Sequence, residues 1–240
     1  MRILDLFAGI GGEQRRAQVE ARGHQYVTLD FNPKFGCSIT ADVLEITAEE
    51  LLKGGHYDLI WASPPCEAFS VASISHHWTG GARAYMPKTQ HAVTSHRLVE
   101  KTIELIEEMK PYAWIIENPR GVLRKLGVVK SLPRTGVTYC QYGDKRMKPT
   151  DLWGIVPGWR PRPMCHNNDP CHEPAPRGAK TGTQGIAGSA ERAIVPWELW
   201  SEILSAIEIS QANGIKGAQP IDPPLFPEVE EKRRSFNLPS

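Results

Sequence analysis

The sequence predicts an α/β protein with a mostly parallel sheet. Over residues 1–120, short apolar runs of strand length alternate with amphipathic runs of helix length. This alternation is typical of βαβ units, in which each helix returns the chain so that the next strand lies parallel to the last. The stretch 154–187 is rich in Pro, Gly, Cys and Arg and has little periodicity, which predicts a small irregular module inserted into the fold.

Four short apolar runs have the length of buried strands. They span residues 2–6, 25–30, 57–62 and 113–117. In an open parallel sheet, ligands bind beyond the carboxyl ends of the strands. The residues that follow these four runs are therefore the candidates for a functional site.

Three helices are predicted between the strands, over about 13–22, 48–53 and 96–110. Gly23 ends the first, because glycine readily adopts the left-handed conformation just past a helix end. Thr47 and Glu50 form the pattern of a capping box at the start of the second helix. Ser95 is expected to cap the third helix and Pro111 to end it.

The composition is that of a globular chain with a full core. Of its 240 residues, 40% are hydrophobic, and 28 Lys and Arg nearly balance 27 Asp and Glu. Any nucleic-acid binding must therefore come from local basic clusters. Five cysteines without a recognisable signal peptide lead us to expect a reducing, cytoplasmic setting. No apolar run approaches the roughly 18 residues that span a bilayer, so no membrane partner is expected.

One cysteine stands directly after the third predicted strand, in Ser63-Pro64-Pro65-Cys66. The two prolines fix φ near about −65° and remove two backbone donors, so the loop cannot continue the strand. It therefore presents Cys66 at the carboxyl end of that strand. A nucleophile is the functional interpretation, and a buried, inert cysteine is the alternative.

A glycine-rich turn follows the first predicted strand, in Asp5-Leu-Phe-Ala-Gly-Ile-Gly-Gly12. Missing Cβ atoms let the backbone approach a ligand closely. Asp30 ends the second strand at a spacing suited to a carboxylate that accepts hydrogen bonds from ribose hydroxyls. The dinucleotide fingerprint requires a third glycine where Gln14 stands, so a nicotinamide cofactor is disfavoured and an adenosyl ligand without phosphate fits better.

Taken together, these motifs resemble those of the cytosine-C5 DNA methyltransferases, over roughly residues 1–150 and the helix after Pro196. In the family's order and spacing they are Asp5-Leu-Phe-Ala-Gly-Ile-Gly-Gly12, Asp30, Asp42, Ser63-Pro-Pro-Cys-Glu-Ala-Phe-Ser70 and Glu117-Asn-Pro-Arg120. The resemblance implies a Rossmann-like, S-adenosylmethionine-dependent methyltransferase fold. With the composition, it divides the chain into a catalytic domain over 1–153, a DNA-recognition module over 154–187, a helix that returns to the catalytic domain over 188–213, and a Pro-rich, charged tail over 214–240.

The resemblance implies S-adenosylmethionine as the cofactor. Phe7 is expected against the adenine, with the backbone at Gly9 and Gly11 near the methionine part. Asp30 is expected on the ribose and Asp42 on the adenine amino group, with a turn-capping role for Asp42 as an equal alternative. The full set of implied cofactor contacts is Phe7, Gly9, Ile10, Gly11, Asp30, Phe31, Asp42, Val43, Pro65 and Leu98.

The implied reaction is transfer of a methyl group to cytosine C5 through a covalent adduct. Cys66 adds to C6 of a cytosine that is flipped out of the duplex, and Glu117 supplies a proton to ring N3. Asn118 is expected to hold the loop in place. The segment 68–94 is expected to close over the flipped base.

The chain departs from the family pattern at several positions. Ser63 replaces the usual glycine, and Glu67 replaces the glutamine that commonly follows the nucleophile. Where the family has Gln-x-Arg-x-Arg, this chain has Arg146, Lys148 and Thr150. Lys148 is therefore the candidate for contacting cytosine O2.

The implied partner is DNA, expected to be double-stranded. The candidate DNA-binding residues are Arg120, Arg177, Lys180 and Thr183. The same chemistry on RNA and a non-catalytic nucleic-acid-binding relative are the alternatives. The target sequence and a partner endonuclease, as in a restriction-modification pair, stay open.

The irregular module contains two Cys-His pairs, Cys165-His166 and Cys171-His172. Their four side chains are candidate ligands for a zinc ion that would staple a module too small for its own core. Adjacent Cys-His pairs do not match the common two-residue spacings of zinc sites, so an ordinary loop is the alternative.

Overall fold

The computed structural model describes residues 1–166, 168–174 and 193–218. Its strands are β1 (Arg2–Leu6), β2 (Gln25–Asp30), β3 (Ile39–Thr40), β4 (Leu59–Ala62), β5 (Ala113–Pro119), β6 (Arg134–Thr138) and β7 (Pro149–Ile155). Its helices are α1 (Gly9–Glu20), α2 (Ala48–Leu52), α3 (Ile74–His77), α4 (Gln90–Met109) and α5 (Trp197–Ala212). Short 3-10 turns connect several of these elements.

The seven described strands form a sheet in the order β3-β2-β1-β4-β5-β7-β6. Neighbouring strands from β3 to β5 are parallel, and among the described strands β7 alone runs in the direction opposite to the other six. The predicted α/β class with a mostly parallel sheet is confirmed. The strand order reverses between β1 and β4, and such a switch point is where open α/β sheets bind ligands.

Strand register brings four residues to one level at the carboxyl edge of the sheet. Leu6 of β1 pairs with Leu29 of β2 and with Ala62 of β4. Ala62 in turn pairs with Ile116 of β5. The residues that follow these four are Phe7, Asp30, Ser63 and Glu117. Predicted cofactor and catalytic residues therefore meet at this edge.

The last two strands, which the sequence does not predict, bring further residues to the same edge. Thr138 at the end of β6 pairs with Pro149 at the start of the antiparallel β7. Tyr139 follows the first of these residues and Lys148 precedes the second. Both therefore lie at the edge that carries the loop after β4.

The two faces of the sheet pack against different helices. One core includes residues of α2 and α4, and the other includes residues of α1 and α5. Along β4, Leu59 and Trp61 belong to the second core and Ile60 to the first, because successive strand side chains point to opposite faces. The last helix packs on the second core through an apolar face whose residues are all buried: Leu199, Trp200, Ile203, Leu204 and Ile207.

Two helices start earlier than the sequence predicts. α1 begins at Gly9, because the glycine-rich turn is itself the first turn of the helix. α4 begins at Gln90, where Thr89 Oγ1 accepts a hydrogen bond from Ala92 N at 3.2 Å. The predicted cap Ser95 is wrong, since this residue lies within the helix and is only 2% exposed. The capping box predicted at the start of α2 is confirmed.

The predicted module over 154–187 is described only in part. β7 runs past residue 153 to Ile155, and the described residues from 156 to 174 contain neither helix nor strand. Residues 175–187 and the tail from 219 onward lie outside the described residues. Among the helices of the described ranges, none has the length and apolar character needed to cross a membrane.

Candidate active site

The candidate nucleophile lies in the turn that follows β4. Cys66 is partly buried and immediately precedes a 3-10 turn over Glu67–Phe69. Burial raises the pKa of the Cys66 thiol to about 11, and the carboxylates of Glu67 and Glu117 contribute to the rise. The Lys148 ammonium acts in the opposite direction. The free protein therefore holds the thiol protonated, beside a cation that favours its thiolate.

Two hydrogen bonds fix the loop that carries Cys66 to the end of β5 and to the loop that follows it. Asn118 Nδ2 donates to Pro64 O at 2.9 Å, as expected for a side chain that holds the loop. Val122 N donates to Phe69 O at 2.9 Å. Between them, a Cβ on Gly121 would lie 2.1 Å from Phe69 O, so glycine alone permits this approach. The backbone that presents Cys66 is thus held at both of its ends.

The candidate acid is buried next to this loop and contacts a tyrosine that the sequence motifs do not reveal. Glu117 is 4% exposed, and its Oε1 accepts a hydrogen bond from the Tyr139 hydroxyl at 2.8 Å. Burial and the Glu117 carboxylate raise the pKa of Tyr139, so the hydroxyl remains a donor. No sequence signal marks Tyr139, because it reaches Glu117 only through the pairing of β5, β7 and β6.

A lysine completes the group around the nucleophile. Lys148 Nζ lies 4.6 Å from the centroid of the Tyr139 ring. Burial lowers the pKa of Lys148, whereas Glu117 and the nucleophile thiolate raise it. Arg146, by contrast, is bound to Asp144, with Nε donating to Oδ1 at 2.8 Å. Lys148 is therefore placed close to the candidate nucleophile and the candidate acid, while its contact with cytosine O2 stays a prediction.

The loop after β1 and the end of β2 form the candidate cofactor site. Asp30 Oδ2 accepts a hydrogen bond from Gly9 N at 3.1 Å, and Oδ1 accepts one from Asn32 N at 3.0 Å. Phe7 and Gly9 have φ values of 61° and 52°, so the backbone turns sharply here, and a Cβ on Gly9 would meet nothing within 4 Å. Phe31 is 70% exposed beside this carboxylate. An oriented carboxylate, an open glycine and an exposed aromatic ring fit an adenosyl ligand.

The other predicted cofactor residues differ in their exposure. Ile10 is exposed, Val43 is buried, and Leu98 is partly buried against the core. Asp42 is exposed, and its Oδ1 accepts a hydrogen bond from Leu44 N at 2.9 Å, which is the turn-capping alternative. Contact between Asp42 and an adenine stays a prediction.

A buried ion pair lies beneath the glycine-rich loop after β1, on its protein-interior side. Arg15 Nη2 lies 2.7 Å from Asp5 Oδ2, and the guanidinium lies 4.9 Å from the ring of Trp200 in α5. A Cβ on Gly11 would lie 2.8 Å from Arg15 Nη1, so this glycine makes room for the pair.

Pro65, the remaining residue of the predicted cofactor contacts, is partly buried and directly precedes Cys66.

The predicted DNA contacts fall in two places. Arg120 is exposed, and its backbone N donates to Pro149 O at 2.9 Å, which sets it at the carboxyl edge of the sheet. Arg177, Lys180 and Thr183 lie outside the described residues.

The segment 68–94, expected to close over the base, begins with short helical turns. Trp78 is buried, and its Nε1 donates to Ala68 O at 2.7 Å. The first part of the segment therefore packs on the core. Closure over a base stays a prediction.

The predicted metal-ligand set is wrong in one member. The side chain of His166 is 84% exposed and lies outside the cluster. Cys140 joins Cys165, Cys171 and His172 instead, and the four ligand atoms lie within 4.8 Å of one another. No local spacing reveals Cys140, because it follows β6 and meets the other three only in the fold.

A protein-family model described as C-5 cytosine-specific DNA methylase matches residues 1–129. The chain belongs to this family. It is also 32% identical over 172 residues to a Frog virus 3 (isolate Goorha) protein named "Probable DNA (cytosine-5)-methyltransferase", an alignment covering 71% of this chain and 78% of that protein. The family resemblance of the motifs is confirmed, and with it S-adenosylmethionine-dependent methylation of cytosine C5 as the class of reaction.

Two solved structures are similar at low sequence identity. A prophage-encoded E. coli protein described as a DNA modification methyltransferase is 17% identical, with a TM-score of 0.46, and the match covers 65% of this chain and 46% of that one. The S. pombe Dnmt2 methyltransferase is 15% identical, with a TM-score of 0.42, over 64% of this chain and 48% of that one. The chain thus spans about half the length of these two structures.

Proposed function

We propose that the protein transfers the methyl group of S-adenosylmethionine to C5 of cytosine in double-stranded DNA, through a covalent adduct with Cys66. Family membership supports the reaction class. The observation that carries the mechanism is the convergence of Cys66, Glu117 and Lys148 at one sheet edge, level with the cofactor loop.

The chain must first make cytosine C5 electron-rich, because the unmodified base is too weak a nucleophile. The Cys66 thiol releases its proton to solvent, and the thiolate forms a bond to C6. The displaced electron pair moves through the ring to N3, which takes a proton from Glu117. C5 then takes the electrophilic methyl group that S-adenosylmethionine supplies. A solvent base takes the C5 proton, and the electron pair of the C5–H bond restores the C5–C6 double bond and expels Cys66 as a thiolate. The N3 proton returns to Glu117.

The proton on Glu117 also acts on the nucleophile. Ionised Glu117 raises the pKa of Cys66, so a proton on Glu117 lowers that pKa again. The Tyr139 hydroxyl occupies Oε1 of Glu117, which assigns the transferable proton to Oε2. Lys148 favours the thiolate through its positive charge. Protonation of Glu117 therefore supplies the proton for N3 and also favours the thiolate of Cys66.

The residues of the candidate cofactor site have binding tasks and take no part in the proton transfers. Asp30, already oriented by two backbone N–H groups, accepts hydrogen bonds from the ribose hydroxyls. Phe7 and Phe31 contact the adenine through their rings. Gly9 lets the methionine part approach the backbone, since no side chain stands there.

Double-stranded DNA is the substrate that we infer. A base inside a duplex hides its C6 from Cys66, so the cytosine must leave the stack. Arg120 offers a phosphate contact at the sheet edge, because it is exposed beside the loop after β5. Zinc, the second cofactor predicted from the sequence, is proposed only as a structural ion, since none of these steps requires a metal.

Transfer of tritium from methyl-labelled S-adenosylmethionine to duplex DNA, single-stranded DNA and tRNA tests this function. We expect label in duplex DNA, recovered as 5-methylcytosine. Glu117→Gln should lower the rate about 10²–10⁴-fold, because an amide N–H is far too weak an acid to transfer a proton to N3. Glu108→Gln, at an exposed position on α4, is the matched control and should keep the wild-type rate. Label on tRNA alone would overturn the duplex substrate, and wild-type turnover by Glu117→Gln would overturn the acid.

A further inference from the structure

We propose that Cys140, Cys165, Cys171 and His172 form a structural zinc site. The site is separate from the reacting groups at Cys66, and it replaces the predicted ligand set that contained His166 with one drawn from two distant parts of the chain.

The four ligand atoms lie within 4.8 Å of one another, and several of their separations are near those of a tetrahedral site. Cys171 Sγ lies 3.7 Å from Cys140 Sγ and 3.3 Å from Cys165 Sγ. His172 Nδ1 lies 3.3 Å from Cys165 Sγ and 3.9 Å from Cys171 Sγ. Two sulfurs held about 2.3 Å from one zinc ion in a tetrahedron lie about 3.8 Å apart. Little movement is therefore needed for all four atoms to reach a common ion.

The chemistry of the donors selects zinc. Three sulfurs and one imidazole nitrogen are one of the donor sets of structural zinc sites, and soft thiolate ligands disfavour magnesium and calcium. All three cysteines are free thiols, so none is withdrawn into a disulfide. Four protein ligands leave no open position for a reacting water, which makes the site structural rather than catalytic.

Hydrogen bonds around the cluster hold its two halves together. Cys165 N donates to Thr138 Oγ1 at 2.9 Å, which aligns the irregular segment with the end of β6. Gln141 Nε2 donates to Cys171 Sγ at 3.4 Å, a bond of the kind that orients a metal ligand from outside the coordination sphere.

The site would join the catalytic edge to the segment that leads to the predicted DNA contacts. Cys140 directly follows Tyr139, whose hydroxyl holds Glu117. His172 lies just before the stretch that contains Arg177 and Lys180. An ion there would fix a segment without helix or strand against the turn that positions the tyrosine, and a metal is a common staple where a small module lacks its own core.

Elemental analysis of the full chain, purified under reducing conditions from zinc-supplemented cultures, tests the site. We expect about one zinc per chain in the wild type. His166→Ala and Cys37→Ser should keep it, because both side chains lie outside the cluster, whereas Cys140→Ser should lose it. Wild-type protein without zinc would overturn the site. Zinc kept by Cys140→Ser and lost by His166→Ala would overturn the ligand set.

A cobalt(II) titration of the metal-free wild-type chain covers the case in which Cys140→Ser does not fold. Thiolate-to-cobalt charge-transfer absorption should rise to saturation at one equivalent and disappear when zinc is added, and no such absorption would overturn the site. Neither readout uses methyl transfer. A failed metal site therefore leaves the proposed reaction standing, and a failed reaction leaves the metal site standing.

Discussion

The cofactor half of the sheet edge lies at the ends of β1 and β2, and the target half lies at the ends of β4 and β5; the two halves are held across different numbers of strands. In the cofactor half, Asp30 is fixed by the backbone N–H groups of Asn32, two residues further along the chain, and of Gly9, which follows the directly neighbouring strand β1. In the target half, Glu117 of β5 is fixed by Tyr139, which follows β6 and reaches it only because β7 pairs with both strands. The difference teaches that cofactor binding depends on one pair of neighbouring strands, whereas the chemistry depends on the assembly of three. A substitution in one half should therefore leave the step of the other half unchanged.

Cys66→Ala should give the largest effect. The rate of methyl transfer should fall at least ~10³-fold, because alanine has no electron pair to form the bond to C6. The affinity for S-adenosylmethionine, measured by calorimetric titration, should not change. Cys37→Ala is the matched control, since Cys37 is the free cysteine nearest in sequence and lies outside the target half. Turnover near that of the wild type would remove the covalent mechanism.

Asp30→Asn tests the separation from the cofactor side. The dissociation constant for S-adenosylmethionine should rise about 10–100-fold, because hydrogen bonds to a charged group contribute about 1.5–3 kcal/mol. The rate at which iodoacetamide alkylates Cys66 should stay at the wild-type value. An altered alkylation rate would show that the two halves are coupled.

Tyr139→Phe should slow methyl transfer moderately without weakening cofactor binding. Loss of its hydrogen bond to Glu117 should lower kcat about tenfold and shift the pH profile of kcat, with cofactor affinity unchanged. Tyr142→Phe is the matched control, because its buried hydroxyl accepts from Arg162 N at 2.9 Å and has no contact with Glu117 among the described hydrogen bonds. Equal profiles for the two variants would reduce Tyr139 to a packing role.

Glu67→Gln should have the smallest effect, and it should increase the rate at which Cys66 is alkylated. The Glu67 carboxylate raises the pKa of Cys66, so its removal lowers that pKa and increases the thiolate fraction at pH 8. For an exposed charge the gain in alkylation rate should be about threefold. Lys148→Met should slow alkylation, because the ammonium lowers the same pKa. Lys145→Met, at an exposed position, is the control and should leave the alkylation rate unchanged. Peptide mass spectrometry resolves Cys66 from the other cysteines, and rates that do not diverge would contradict the charge assignment.

The sequence predicts the cofactor half in detail because its signals are local. β1 and β2 have the predicted bounds, and Asp30 stands where the ribose carboxylate was expected. Pro64 and Pro65 likewise end β4 and set Cys66 at its carboxyl edge without help from distant residues. Such features need only a buried strand and the turn chemistry that follows it.

The target half could not be completed from the sequence because its partners meet through antiparallel strands with weak patterns. β6 reads Arg-Thr-Gly-Val-Thr, with one aliphatic residue, and shows no strand signal of its own. Tyr139 and Cys140 follow that strand, so the sequence predicts neither the hydrogen-bond partner of Glu117 nor the fourth candidate metal ligand. Ser95 shows a different failure, since a residue suited to a helix cap was buried by tertiary packing within α4.

The most direct test of the account is to trap the adduct on a duplex that contains 5-fluorocytosine at the methylated position. Fluorine cannot leave C5 as the proton does, so the chain that has added to C6 and methylated C5 cannot be expelled. In the presence of S-adenosylmethionine, we predict a stable protein–DNA product whose digestion places the modified base on the peptide containing Cys66, and no product with Cys66→Ala. A base attached to another cysteine, or methyl transfer to ordinary cytosine with no trapped product, would contradict it.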